Sequence, residues 1–260
     1  MTSEVLAIIQ ARMSSTRLPG KVLMEIMGKP MLELHIERIQ RSTEISRLVV
    51  ATSIGEEDNP IETLCRKIGV SCFRGSLDDV LDRFFQAAKF YQPKHVVRLT
   101  GDCPLADPAI IDRVIKLHLK HGYDYTSNTL PPTWPDGMDV EIFRFSCLKE
   151  AAKEAKLPSE REHVTPFIQN RPQQYALGNL SNKKDLSGHR LTVDEIFDFD
   201  KVKRIYAALH PQKSDFSLRE ILSLIESDPE LSSINDEVDC DAGVREAKIK
   251  DRKYLMKREL

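Results

Sequence analysis

The sequence predicts an α/β protein built on a mostly parallel sheet with helices on both faces. Short apolar runs alternate with amphipathic helical patterns up to about residue 126, and several of these runs stop abruptly in loops rich in charge, glycine or hydroxyl groups. A length of 260 residues fits one large domain or one domain with an appendage. The expected division is a body over residues 1–228 and a charged C-terminal extension over residues 229–260.

Residues 5–9 are a buried strand, and residues 31–39 repeat apolar positions at helical spacing, with Pro30 suited to a first helical turn. Residues 48–51 form a short strand running into Thr52 and Ser53, followed by a helix over 60–68 and a brief strand over 70–73. The helix over 78–91 has an inward stripe of Leu77, Val80, Leu81, Phe84, Phe85 and Ala88. A fourth strand covers 95–99 and a helix 108–121.

Beyond Thr126 the alternation loosens. Residues 128–137 hold three prolines and the only tryptophan, a long loop of the kind that usually carries function. Residues 138–143 alternate apolar and acidic side chains, so a half-buried strand there sets Asp139 and Glu141 on one face, open either to a polar acceptor substrate or to plain solvent. Helices follow over 146–155 and from Glu160, then a strand over 175–180 and a last apolar segment over 190–195. Val202, Ile205, Tyr206 and Leu209 mark a further helix, and residues 218–225 another. Residues 245–253 mix both signs of charge, which suits a solvated helix or a subunit contact better than a nucleic-acid arm.

A formal net charge of -2 argues against a surface built for nucleic acid, so any phosphate binding is local. No run approaches the roughly 20 apolar residues of a membrane span. Met1-Thr2-Ser3-Glu4 has no basic, apolar leader pattern, and a cytoplasmic protein is expected. The five cysteines, Cys65, Cys72, Cys103, Cys147 and Cys240, lack metal-ligand spacing and read as reduced thiols.

The most informative stretch is Gln10-Ala11-Arg12-Met13-Ser14-Ser15-Thr16-Arg17-Leu18-Pro19-Gly20-Lys21. Its cations neutralise charge while backbone N–H groups supply short-range donors, the chemistry of a polyphosphate cradle. It matches neither Gly-x-x-x-x-Gly-Lys-Ser/Thr nor Gly-x-Gly-x-x-Gly. A solvated loop is the competing reading, but its place after a buried strand puts it where open α/β sheets bind ligands. The fourth strand ends in Thr100-Gly101-Asp102, and Asp194 closes the last apolar segment in the same way. Two such carboxylates facing a cationic loop would suit a divalent metal in phosphoryl chemistry, whereas the bland alternative for Asp102 is a helix cap or turn. His163 is either a contact for a substrate anion or a histidine satisfied locally.

With these residues in hand, the chain resembles the cytidylyltransferase family of the CMP-sugar synthetases, in the branch of the spore coat polysaccharide biosynthesis protein F. The loop over residues 10–21 is similar to the family's nucleotide-binding signature. Phe73-Arg74-Gly75-Ser76 with Asp82-Arg83, Thr100-Gly101-Asp102-Cys103-Pro104-Leu105, Arg161-Glu162-His163 and Arg190-Leu191-Thr192-Val193-Asp194 follow in the family's order. Gln10 departs from the proline usual in the sugar-acid synthetases, and residues 73–79 replace their Ser-Gly-Thr run.

The resemblance implies a Rossmann-like, three-layer α/β/α nucleotidyltransferase that activates a sugar acid with CTP, or another NTP, and releases pyrophosphate. It implies that Gln10, Ala11, Arg12, Arg17 and Lys21 line the nucleotide, with Ser76 and Arg83 nearby. By the same token Asp102 and Asp194 hold Mg²⁺, and Arg12, Lys21, Asp102 and Asp194 are catalytic; the strand face and the later polar residues make Asp139, Glu141, His163 and Arg190 the candidates to meet the acceptor. A homodimer is the family's habit. Two alternatives stay open: a glycosyltransferase that consumes a nucleotide sugar and releases a nucleoside diphosphate, and a nucleotide-binding subunit without turnover.

Overall fold

The computed structural model describes residues 4–235 and 242–256. Met1, Thr2, Ser3 and Cys240, and residues 236–241 and 257–260 of the expected extension, lie outside the described residues. Strand β1 (Val5–Gln10) is buried along nearly its whole length, as a central parallel strand must be. A small hairpin that periodicity does not reveal, β2 (Glu25–Ile26) and β3 (Lys29–Pro30), turns through Met27 and Gly28 at φ 53° and 77°. Positive φ at both turn residues matches the right-handed twist of the paired strands.

Helix α1 (Met31–Ile39) leads to β4 (Arg47–Ser53), α2 (Asn59–Lys67) to β5 (Ser71–Gly75), and α3 (Val80–Tyr91) to β6 (His95–Thr100). Helix α4 (Pro108–His121) precedes β7 (Tyr125–Ser127) and β8 (Glu141–Arg144). Then come α5 (Phe145–Glu154), α6 (Pro158–His163), α7 (Pro166–Gln169) and β9 (Leu177–Asn179). Helices α8 (Ile196–Leu209), α9 (Leu218–Ser227), α10 (Pro229–Ser233) and α11 (Ala242–Met256) complete the described chain.

The seven-stranded sheet has the order β5-β4-β1-β6-β8-β7-β9. Strands β5, β4, β1 and β6 run parallel, β8 is antiparallel to both its neighbours, and β9 is parallel to β7. Alternate side chains of β1 feed two cores, which makes three layers. Val5, Ala7 and Ile9 pack with Leu34, Leu64, Val114 and Ile205, whereas Leu6 and Ile8 pack with Phe84, Leu148 and Ile168. The fold is therefore the expected α/β/α sandwich. Strand order reverses at β1, with β4 on one side and β6 on the other, and the loops leaving β1 and β6 share the carboxyl edge at that switch point.

Two element boundaries differ from the sequence expectation. The strand expected over 138–143 begins only at Glu141, because the preceding segment is held off the sheet by Asn128, whose side chain donates to Met138 O at 2.7 Å and accepts from Val140 N at 2.8 Å. Residues 190–193 are extended, but β8 already occupies the edge of β6. They make one bridge, Asp136 with Arg190, while Leu191 and Val193 still bury their side chains.

The body also continues past residue 228. Leu231 is buried, Asn235 hydrogen-bonds into the core, and α11 joins α6 through Ser159–Asp251 and Lys250–Glu162. No described helix is long and apolar enough to cross a membrane, and Cys65, Cys72, Cys103 and Cys147 are unbridged.

Candidate active site

The loop after β1 is held to the sheet at its base and curled at its tip. Ala11 N donates to Ala51 O at 3.2 Å, and Gly101 N to Gln10 O at 2.8 Å. A Cβ on Gly101 would meet Gln10 O at 3.0 Å and Ala11 Cβ at 3.1 Å, so only glycine lets the β6 loop approach this closely. Further on, Met13 O accepts from both Ser15 N at 3.0 Å and Gly20 N at 2.8 Å, with Gly20 at φ 73°.

Asp58 is the hidden anchor of this loop. It is fully buried and accepts from Met13 N at 2.7 Å and Ser53 N at 3.0 Å. Burial pushes its carboxyl up, but the hydrogen bonds from Ser53 and Met13 outweigh that and hold it below the ordinary carboxylate range.

A single 3₁₀ turn, Lys21–Leu23, then carries Lys21 inward until it is only 6% exposed. Its ammonium donates to Val193 O at 2.6 Å, Asp194 Oδ1 at 3.0 Å and Asp102 Oδ2 at 3.2 Å. Burial lowers the lysine's pKa, and the two carboxylates reverse this and leave it raised, so Lys21 stays charged. The Asp102 carboxyl is pushed up by burial yet held at about 2 by Lys21 and the Thr100 hydroxyl.

Around Asp194 the cations close a ring. Its Oδ2 takes Arg17 and Arg190, each at 2.8 Å. Arg190 also donates to Asp136 Oδ2 at 2.8 Å and to Asp198 Oδ1 at 3.0 Å. Asp198, fully buried in the first turn of α8, accepts the Asp194 and Glu195 N–H groups at 2.9 and 3.0 Å and Asn235 Nδ2 at 2.8 Å. Two charged stretches far apart in sequence therefore make one site: the loop at residues 17–21 and the segment at 190–198 are locked through Asp194.

The other residues singled out by sequence fall in distinct places. Arg12 is exposed and makes no hydrogen bond or ion pair among the described residues, and Ala11 is buried under the loop. Arg83 is buried, donates to Ser76 O at 2.8 Å and keeps an unpartnered Nε. Burial, with Arg12 adding repulsion, lowers its pKa to about 10. Ser76 Oγ accepts from Asp79 N at 3.0 Å, and Asp79 in turn receives Arg161 Nε at 3.0 Å.

Gln10 Oε1 accepts Arg98 Nε at 3.1 Å, and Arg98 pairs with Glu141. Glu141 is not an open carboxylate on a strand face. It is buried and engaged by Tyr125 at 2.6 Å, Thr165 at 2.7 Å and Gln169 at 2.8 Å. His163 closes α6, and burial lowers its pKa. Asp139 is exposed and shares none of Glu141's hydrogen bonds. Asp58, Asp198, Asn128 and Asn235 escape sequence reading; an Asp ahead of or within a helix's first turn signals only a cap.

The donor chemistry fits Mg²⁺ in part. Asp102 and Asp194 supply hard oxygen ligands and Asp102 is held ionised, but both carboxylates converge on Lys21, and no cluster of three or more metal-ligating side chains exists among the described residues. Two carboxylates could hold such an ion only with phosphate oxygens completing its shell. A separate cavity of about 460 Å³, lined by Asp107, Arg113, Trp134 and Leu218, lies between α4 and α9 and includes none of these residues.

Residues 6–236 match the family model described as cytidylyltransferase. The spore coat polysaccharide biosynthesis protein SpsF of Bacillus subtilis is 34% identical over 238 residues, 89% of this chain and 98% of that protein. A cytidylyltransferase structure from Leptospira borgpetersenii superposes with a TM-score of 0.85 at 34% identity, covering 91% of this chain and 98% of the other. A CMP:2-keto-3-deoxy-manno-octonic acid synthetase complexed with CTP shares the fold at a TM-score of 0.62 and 17% identity, covering 79% and 99%.

Proposed function

The chain belongs to the cytidylyltransferase family, and from that premise we propose that it transfers a cytidylyl group from CTP to a hydroxyl of a sugar acid, for surface polysaccharide synthesis, with release of pyrophosphate. The observation that carries this reading is the buried Lys21 ammonium held between Asp102 and Asp194 directly beneath a loop that presents Arg12 and Arg17. A CTP complex in a protein of the same fold supports CTP as donor, and the SpsF relative supports the polysaccharide role.

The acceptor oxygen attacks the α-phosphorus, and the bond to the bridging oxygen breaks in line with it. Arg12, which has no partner to give up among the described residues, meets the triphosphate, and Lys21 and Arg17 offset charge that gathers on the departing pyrophosphate. Preorganised cations of this kind act mainly by positioning and electrostatics, and no covalent nucleophile is needed. Asp102 and Asp194 would hold Mg²⁺, which supplies charge neutralisation at phosphate oxygens.

The test is a panel of CTP, UTP, ATP and GTP with Mg²⁺ and a set of sugar acids that includes 3-deoxy-manno-octulosonate, read for pyrophosphate. Release with CTP and one acceptor is expected. A nucleoside diphosphate from a nucleotide sugar, with no pyrophosphate from any triphosphate, overturns the reading.

A further inference from the structure

Among the described residues, the carboxylates singled out around Lys21 and Arg98 are engaged, save one. Asp102 and Asp194 hold Lys21, Asp136 holds Arg190, and Glu141 holds Arg98 and Tyr125. Asp139 makes no hydrogen bond or ion pair among the described residues and is open to solvent.

The segment carrying Asp139 is nonetheless rigid. The buried side chain of Asn128 grips both flanking residues, donating to Met138 O at 2.7 Å and accepting from Val140 N at 2.8 Å, and Met138 and Val140 are themselves buried. Two residues earlier, Gly137 at φ 99° lies so close to the 191–192 backbone that a Cβ there would sit 2.6 Å from Leu191 C and Thr192 N. That backbone runs on to Val193 and Asp194, so Asp139 is fixed against the same strip of chain that grips Lys21. A carboxylate that is unpaired, open to solvent and mounted on a doubly clamped backbone is placed to act rather than to brace.

Resting on the cytidylyl-transfer reading above, we propose that Asp139 is the proton acceptor for the attacking hydroxyl, with Asn128 its positioning residue. The acceptor O–P bond forms as the bond from α-phosphorus to the bridging oxygen breaks. The electron pair of that bond leaves with pyrophosphate, and the hydroxyl proton passes to the Asp139 carboxylate and from there to solvent. The charged groups facing Asp139 are Asp136 from its own loop, Glu141 from β8, Arg98 from β6 and Asp102 from the loop after β6. Although its side chain keeps access to solvent, crowding by the surrounding protein, with the Asp136 and Glu141 carboxylates, raises its carboxyl to about 7, near neutral pH, where proton acceptance is most effective.

The test compares wild type, Asp139→Asn and Asp139→Glu with CTP and whichever acceptor of the panel turns over in wild type. Asp139→Asn should lower kcat by about 10²–10⁴-fold while keeping the CTP-induced rise in melting temperature, and Asp139→Glu should recover part of the rate. The wild-type rate should climb with pH to a plateau through an acidic limb that Asp139→Asn lacks. Wild-type kcat with an unchanged limb in Asp139→Asn overturns the assignment. Absence of pyrophosphate release from wild type with every triphosphate and acceptor is a different failure, of the transfer reaction itself, and takes this assignment with it.

Discussion

Replacing Lys21 with methionine keeps the aliphatic stem and removes the ammonium that Asp102, Asp194 and Val193 O share at 3.2, 3.0 and 2.6 Å. Asp102 is held at about 2 against an ordinary 3.8. At about 1.4 kcal/mol per unit of pKa, the ionised carboxylate contributes at most about 2.5 kcal/mol, and solvent screening of a side chain 30% exposed brings this to about 1 kcal/mol. Because the folded carboxyl is depressed, the contribution is complete above pH 4, roughly half gone at pH 3, and lost as pH falls through about 2.

Lys21→Met removes the main cause of the depression, so its stability deficit should be about 1–2 kcal/mol at pH 7 and clearly smaller at pH 3. Urea unfolding at the two pH values measures this. A deficit equal at both would show that the loss does not follow the ionisation of Asp102, and would refute the electrostatic account of the ring. Pyrophosphate release should fall by about 10²–10³-fold in the same variant.

Asp58→Ala strips the acceptor from Met13 N and Ser53 N inside a buried site and should destabilise by about 1–3 kcal/mol. It should also weaken CTP binding in a thermal-shift titration, although Asp58 need touch no nucleotide. Gly137→Ala must strain φ 99° and push a Cβ against the 191–192 backbone, so a loss of about 1–3 kcal/mol is expected, with turnover falling further than stability as Asp139 and Asp194 shift together. Calorimetry and a pyrophosphate assay separate the two effects.

Strands β1, β4 and β6 and helix α4 were legible because their apolar spacing is set by burial on one stripe or on both faces. Lys21, Asp102 and Asp194 were legible as chemistry, since cations and carboxylates follow strands at one edge. Their pairing was not legible, because Lys21 lies 81 and 173 positions from the two carboxylates and nothing local encodes that meeting. Residues 190–193 have a strand's pattern without a strand's partners, for burial sets the pattern and a free edge sets the ladder. Glu141 reads as an exposed acid by alternation; the Tyr125, Thr165 and Gln169 donors that make its burial tolerable come from two other segments, β7 and α7 with its cap. Asp198 and Asn235 read as a first-turn acid and an ordinary polar residue, yet they set the backbone beneath Asp194.

In chain order Lys21 is made well before Arg190, Asp194 and Asn235. A growing chain that has released β1 to β6 can pair its central strands and bury much of its core, but its loop cations have only Asp102 to meet. Translation products that stop short of residue 190 would carry the scaffold without the lock. If the chain binds CTP as proposed, that competence waits until residues 190–235 have followed the loop, and a chain cut before residue 190 should bind CTP more weakly than one that includes them.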